Sequence, residues 1–506
     1  PRRLPKKLFN ICNDNINSLI INFVLSLPRD VEVDEKLQTL QDHILKYVCP
    51  RLVDNLLLTA APCWILNDDQ KVMLLKILLH PSMITLSTKF KLPSRDDFYE
   101  VRLKELKRLV VLNLSMVCTD EILEVVGNNC HLLQVIHIVS KIGSVTCKTK
   151  RQLNALKLKF FVSDKGLEHL YKCTFLKTVI MNKVTRSNCG GRKITHDGIR
   201  KLLRALPKLQ FISYNDMGLV MEDGISENEK FNLLHLHDSH IKPLHIDTFV
   251  KHCPNIKGLC LMLPTDVGYW NPNACLFKLA NSELKLSSLA LRLFPADEAF
   301  NNFLTVKGLH LTSLCLSHDI TITVETIYFI GLNCPHLEYL EVHFVIPGDQ
   351  DDATLKAVKN KKMFTYLHSL KILGSLWNPQ IIIPLCICNA NSLNHLILLN
   401  RDYSKYIDEL ILNLLTINPL VKLRHITLLD GFCVRTETLL RFVLSMECLE
   451  SIMVSNKLSY IDHLEQLKID NNLNLNIKSD YMIGDDNRNY GNCLCYYWQK
   501  GSLGTF

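Results

Sequence analysis

The sequence is short of the features that mark membrane proteins, nucleic-acid binders and the common hydrolases. No apolar run in its 506 residues approaches the roughly 20 needed to cross a bilayer. No long basic block is present: 58 basic residues stand against 50 acidic ones, a formal net charge of +8 that is mild for this size. That balance argues against nucleic acid as the main partner. G-x-S-x-G, H-E-x-x-H and a phosphate-binding loop are all missing, and Gly190-Gly191-Arg192-Lys193-Ile194-Thr195 has the wrong spacing for the last of these. The chain is therefore expected to be no enzyme and to need no cofactor. The basic Pro1–Lys7 followed by the apolar Ser18–Leu27 imitates a secretory signal, but Asn13, Asp14, Asn15 and Asn17 interrupt it and no small-residue cleavage site follows.

What is present is a phrase that returns. At Cys334 it reads Cys-Pro-His-Leu-Glu-Tyr-Leu-Glu-Val, at Cys253 Cys-Pro-Asn-Ile-Lys-Gly-Leu-Cys-Leu, at Cys130 Cys-His-Leu-Leu-Gln-Val-Ile-His-Ile and at Cys173 Cys-Thr-Phe-Leu-Lys-Thr-Val-Ile-Met. Its last two apolar anchors recur as Ile84/Leu86, Leu112/Leu114, Ile136/Ile138, Leu156/Leu158, Val179/Met181, Ile212/Tyr214, Leu234/Leu236 and Leu259/Leu261. They continue as Leu289/Leu291, Leu314/Leu316, Leu340/Val342, Leu370/Ile372, Leu396/Leu398, Ile426/Leu428 and Ile452/Val454. From Leu86 to Val454 the fourteen steps average about 26 residues, a repeat-protein period.

The physics of one repeat is local. Two apolar residues two apart on a strand point to one side, into a core. A helical pattern follows, as in Thr119-Asp120-Glu121 before Ile122, Leu123, Val125 and Val126, where a hydroxyl and acidic residues suit a helix start. Neither element covers its apolar edge alone, so the repeats must stack. The expected fold is an α/β solenoid, curved, with parallel strands on the concave face and helices outside. It divides into a helical N-terminal module at 1–80, about 15 repeats at 81–470 and an irregular tail at 471–506. Loop insertions are expected at Val184–Lys193, Gly218–Lys230, Pro264–Ser282 and Pro347–Asp352.

Nineteen cysteines, an odd number, include five read as one repeated position: Cys130, Cys173, Cys253, Cys334 and Cys388. A buried slot explains these better than pairing, and a reducing compartment, cytoplasm or nucleus, follows. His235, His237, His240 and His245 form the densest histidine cluster, but no Cys or carboxylate ligand set accompanies them, and they read as solvated polar residues rather than a metal site. Cys493 and Cys495 stand too close together and too isolated for zinc. The concave face is formed by the residues flanking the anchors, among them Lys157, His235, His237, Arg292, Tyr339 and Glu341. Its mixed polarity suits a protein segment, the expected target.

The C-x-x-L-x-x-L-x-L phrase resembles the cysteine-containing subclass of leucine-rich repeats, found in the substrate-binding arms of ubiquitin ligases. Upstream, Leu8, Cys12 and Ile16 at steps of four resemble a BC box, the helix that binds elongin C, although Lys7 stands where the family prefers a small residue or Pro. Physically, Leu8 suits a pocket, Cys12 permits close helix approach and Ile16 extends the stripe. Cys49 to Leu57 resembles a cullin box, with Pro50, Val53 and Leu57 as its contact positions. This order resembles the elongin-BC receptors of the PRAME and Zyg types. The resemblance implies a substrate receptor of a cullin–elongin B/C ligase. An F-box receptor, for which Leu27-Pro28-Arg29-Asp30 is a weak start, and a leucine-rich-repeat scaffold or inhibitor are the alternatives.

Overall fold

A computed structural model describes residues 8–27, 33–48, 53, 56, 66–87, 97–114, 118–138, 162–181, 194–263, 271–317, 322–345, 363–376, 379–399, 408–429, 435–454, 458–471, 473 and 475–479. The chain divides into two compact units, Lys6–His237 and the part from Asp238 onward.

Among its described residues the first unit opens with the helices α1 (Leu8–Ser26), α2 (Val33–Tyr47) and α3 (Asp68–Leu78). Ile20 and Val24 of α1 and Leu37 and Ile44 of α2 are buried, and both helices pack on α3. Asn67 caps α3 reciprocally with Gln70. The Gln41 side chain donates to the Leu79 carbonyl, closing the C-terminal end of α3.

Among the described residues six strands follow: β1 (Thr85–Ser87), β2 (Val111–Asn113), β3 (Val135–His137), β4 (Thr178–Ile180), β5 (Phe211–Ser213) and β6 (His235–Asp238). Each pairs in parallel with the next. In the second unit β7 (Gly258–Met262), β8 (Ser288–Arg292), β9 (Ser313–Ser317), β10 (Tyr339–Val345), β11 (Ser369–Leu376), β12 (His395–Leu399), β13 (His425–Leu429), β14 (Ser451–Val454) and β15 (Asn476–Ser479) do the same. Helices alternate with the strands, so the architecture is a leucine-rich-repeat solenoid. No helix among the described residues is long and apolar enough to cross a membrane.

The anchors set the register. Leu86, Leu112, Ile136, Val179, Ile212 and Leu236 pair in one row, all fully buried. The turn before each strand is tied to the turn of the preceding repeat. Gln134 N–H donates to Val110 O, Lys177 N–H to Gln134 O and Gln210 N–H to Lys177 O, each at 2.8 Å. The same chain of bonds runs in the second unit from Ser287 to Asn476.

The cysteine slot has a physical use. Cys130, Cys173, Cys253 and Cys334 are fully buried, each ending a helix. The Cys130 thiol donates to Leu106 O at 3.6 Å, and the Cys173 thiol to Cys130 O at 3.7 Å, so each thiol meets a carbonyl of the repeat before. Burial pushes the thiols of Cys130 and Cys334 up to about 12, well out of the reactive range.

The first unit also carries a clasp between repeats. Asp120, the first residue of the helix Asp120–Asn129, accepts from Ser163 N–H at 2.7 Å and from the Ser163 hydroxyl. Asp164 opens the next helix and accepts from Thr195 N–H at 2.8 Å and the Thr195 hydroxyl at 2.6 Å. Each carboxylate sits where the third residue of the following helix has no side chain. A Cβ on Gly166 would lie 2.2 Å from Asp120 Oδ1, and one on Gly198 2.0 Å from Asp164 Oδ1. Asp408 makes the backbone half of this clasp, from Arg435 N–H at 2.8 Å. Arg435 has no hydroxyl for the second oxygen, and Asp408 Oδ2 is buried without a hydrogen-bond partner among the described residues.

Several expectations change. In β6 the anchor row takes Leu236 with Asp238 after it, not Leu234/Leu236, because the turn before β6 shifts the pairing by two. Ile84 is exposed, and only Leu86 anchors β1. The slot assigned to Cys388 belongs to Ala390, whose carbonyl receives Leu393 N–H as Cys130 O receives Leu133 N–H. Two expected loops contain helices, Met217–Glu222 and Pro272–Asn281; the second starts at a Pro behind an Asn cap and buries Cys275, Leu276 and Leu279. One more strand, Asn476–Ser479, pairs with β14 inside the segment read as irregular. Leu156/Leu158, 184–193, 347–352, Cys493 and Cys495 lie outside the described residues.

Candidate functional site

Two surfaces carry the residues singled out in the sequence. The first is α1. Leu8 opens the helix, and Cys12 and Ile16 are half-buried beside the packed Ile20 and Val24. At about 100° per residue, Cys12, Ile16, Leu19 and Phe23 fall on one flank of the helix. Leu19 is 69% exposed and Phe23 half-buried, so this flank is apolar and open to solvent.

The cullin-box positions are placed differently. Val53 is helical and fully buried, as is Leu56. Val53 is thus packed in the interior in this chain by itself, and burying a valine there stabilises the fold by roughly 1.5–3 kcal/mol. Pro50 and Leu57 lie outside the described residues.

The second surface is the sheet face of the strands. His235 and His237 flank Leu236 on β6 and are half-exposed, with His235 tilted against Phe211 at 6.3 Å between ring centroids. Arg292 ends β8, half-exposed. Lys157 lies outside the described residues. His245 is buried, and its Nδ1 accepts from Lys242 N–H at 3.2 Å. No group of three or more His, Cys, Asp or Glu side chains among the described residues is placed to hold a metal ion.

Glu341 departs most from expectation. Alternation puts it on the sheet face between Leu340 and Val342, yet its side chain is 0% exposed. Its neighbours enclose it. His343 Nε2 lies 3.0 Å from Oε1, the Tyr339 hydroxyl donates to Oε2, and Lys371 Nζ lies 3.4 Å from Oε2. Lys371 pairs with Glu341 across β10 and β11, is 4% exposed, and sits 5.6 Å from the centroid of the Tyr339 ring. On β9 the same row holds the buried Cys315. Burial pushes the Glu341 carboxyl up, but the His343 hydrogen bond, the Lys371 charge and the Tyr339 hydroxyl outweigh it and hold the group at about 2. The cluster is an internally satisfied acid–base knot, not an open target contact, which corrects the expected role of Glu341.

The pH dependence follows. The folded carboxyl lies below its ordinary 4.5, so the unfolded chain binds the proton more readily. The stabilisation, about 3 kcal/mol from the size of the shift, is complete above about pH 4.5 and is lost as pH falls towards 2. Urea unfolding of the wild type beside Glu341→Leu/Lys371→Met checks this. The wild type should lose the extra stability across that window, and parallel profiles would refute the assignment.

No family model and no curated protein matches the chain. Among solved structures the chain is similar to that described as the Rad7 and Elc1 complex in yeast, at 14% identity and a TM-score of 0.44, covering 90% of this chain and 94% of that one.

Proposed function

We propose that this chain is the substrate-recognition subunit of a cullin–elongin B/C ubiquitin ligase. It is not itself an enzyme, and catalysis belongs to the partner. The observation that carries the reading is the order of parts: a BC-box-like helix with an open apolar flank, then a leucine-rich-repeat solenoid. Leu8, Cys12 and Ile16 would contact elongin C, with Leu19 and Phe23 extending the same flank. A helix offers such a stripe to a groove through positions three and four apart. The segment from Cys49 to Leu57 would approach the cullin through Pro50 and Leu57, while Val53 holds it to the cap. The sheet face of the solenoid would take the target protein through its half-exposed residues, including His235, His237, Arg292 and Tyr339.

The test is a pull-down of the purified chain with the elongin B–elongin C dimer, wild type beside Leu8→Ala/Cys12→Phe. The wild type should bind and the double variant should lose binding, with an unchanged circular dichroism spectrum. Failure of the wild type to bind would remove the elongin assignment. Binding to an F-box adaptor instead would move the chain to that ligase class. A double variant that binds normally would discharge α1 of the role.

A further inference from the structure

The turns that lead into β2, β3, β4 and β5 form a cationic edge on the first unit. They carry Lys104, Lys107 and Arg108; then His131; then Lys177; then Lys208, all exposed. Their one carboxylate, Glu105, pairs with Arg102 at 3.5 Å. None of Lys104, Lys107, Arg108, Lys177 and Lys208 pairs with a carboxylate among the described residues. The same turns of the second unit differ. There Glu283, Glu338, Glu447 and Glu450 offset Lys257, Lys285, Lys422 and Arg424, and Arg424 pairs with Glu450 at 3.3 Å.

Two apolar side chains stand in the middle of the edge. Leu132 is 48% exposed and Phe175 46% exposed. Lys208 Nζ lies 4.4 Å from the centroid of the Phe175 ring, so neighbouring turns meet at the surface. The hydrogen bonds joining Val110, Gln134, Lys177 and Gln210 hold the turns in a fixed row.

From these observations we infer that this edge docks an acidic segment of a partner protein, extended and carrying an apolar residue between its carboxylates. Four turns one strand apart span about 14 Å, which an extended chain covers in four or five residues. Carboxylates at its ends would meet Lys107 and Arg108 on one side and Lys177 and Lys208 on the other, and its apolar residue would lie over Leu132 and Phe175. An apolar centre within a charged rim is the anatomy of a protein interface. Nucleic acid fits less well, because Lys208 already lies over the Phe175 ring and the aliphatic Leu132 offers no stacking face to a base. The inference is independent of the reading of α1, which lies on another element.

The experiment is fluorescence anisotropy with the full chain. The probes are a labelled peptide in which Asp and Glu surround Leu and Phe, its Asn/Gln counterpart, and a single-stranded DNA oligonucleotide of similar length. The acidic peptide should bind and the neutral one should not. Lys107→Glu/Arg108→Glu/Lys208→Glu should weaken binding at least about tenfold. The matching Gln variant should give a smaller loss, Phe175→Ala a further one, and Arg424→Glu none. These positions are exposed, and circular dichroism confirms the fold of each variant. Equal binding of both peptides, tighter binding of the oligonucleotide, an equal loss from Arg424→Glu, or no binding at all would each overturn the inference.

Discussion

Replacing Glu341 by Ala should destabilise the second unit by about 3–5 kcal/mol, because it leaves Lys371 charged, 4% exposed and without its counter-charge. The removed carboxylate also served the Tyr339 hydroxyl and His343, whose polar atoms would have to find other partners. Removing both charges should behave differently. Glu341→Leu/Lys371→Met replaces an ion pair by side chains of similar volume, and such exchanges are commonly neutral or stabilising. The measurement is urea unfolding of wild type, both single variants and the double. A double variant close to wild type, with each single variant far below, is the expected pattern. Additive losses would mean that Glu341 and Lys371 are not coupled.

Gly198→Ala should cost about 2–4 kcal/mol, although a helical Gly→Ala change ordinarily stabilises. The new methyl group would lie 2.0 Å from Asp164 Oδ1, so the carboxylate must leave and both of its bonds to Thr195 are lost. In an Asp164→Ala background the obstacle is gone. There Gly198→Ala should change sign and stabilise by up to about 1 kcal/mol, through the reduced freedom of the unfolded chain. Thermal unfolding of the four proteins checks this, and the same loss in both backgrounds would place the strain somewhere other than the clasp.

The sequence showed the fold clearly because the anchors are independent, local and numerous. Leu86, Leu112, Ile136, Val179 and Ile212 each announce themselves within a few residues. The helical N-terminal module was legible for the same reason, through Leu8, Cys12 and Ile16 at steps of four. What escaped depended on neighbours distant in sequence. The shift at Leu236 followed from a turn whose length alone does not fix the pairing. Val53 looks the same in sequence whether it packs a cap or meets a partner. The Glu341–Lys371 pair left a signal that was available, since the two residues occupy one position in adjacent repeats, Leu340-Glu341-Val342 and Leu370-Lys371-Ile372. Reading that signal requires comparing repeats column by column instead of strand by strand. The cationic edge is likewise a column property, spread thinly enough that no single stretch appears basic.

The clasp at Asp164 and the knot at Glu341 have a consequence beyond their energy. Among the described residues, β1 to β14 are built on one phrase with interchangeable aliphatic anchors, and nothing in those anchors states which strand should lie beside which. A chain of this kind could assemble out of sequence, or exchange repeats with a second copy. Asp164 closes only on a successor that offers both a hydroxyl and a vacant Cβ position, as Thr195 and Gly198 do. Glu341 gains its counter-charge from a lysine in the same column of the next repeat. These residues act as keys among identical teeth, penalising wrong neighbours more than they reward the right ones.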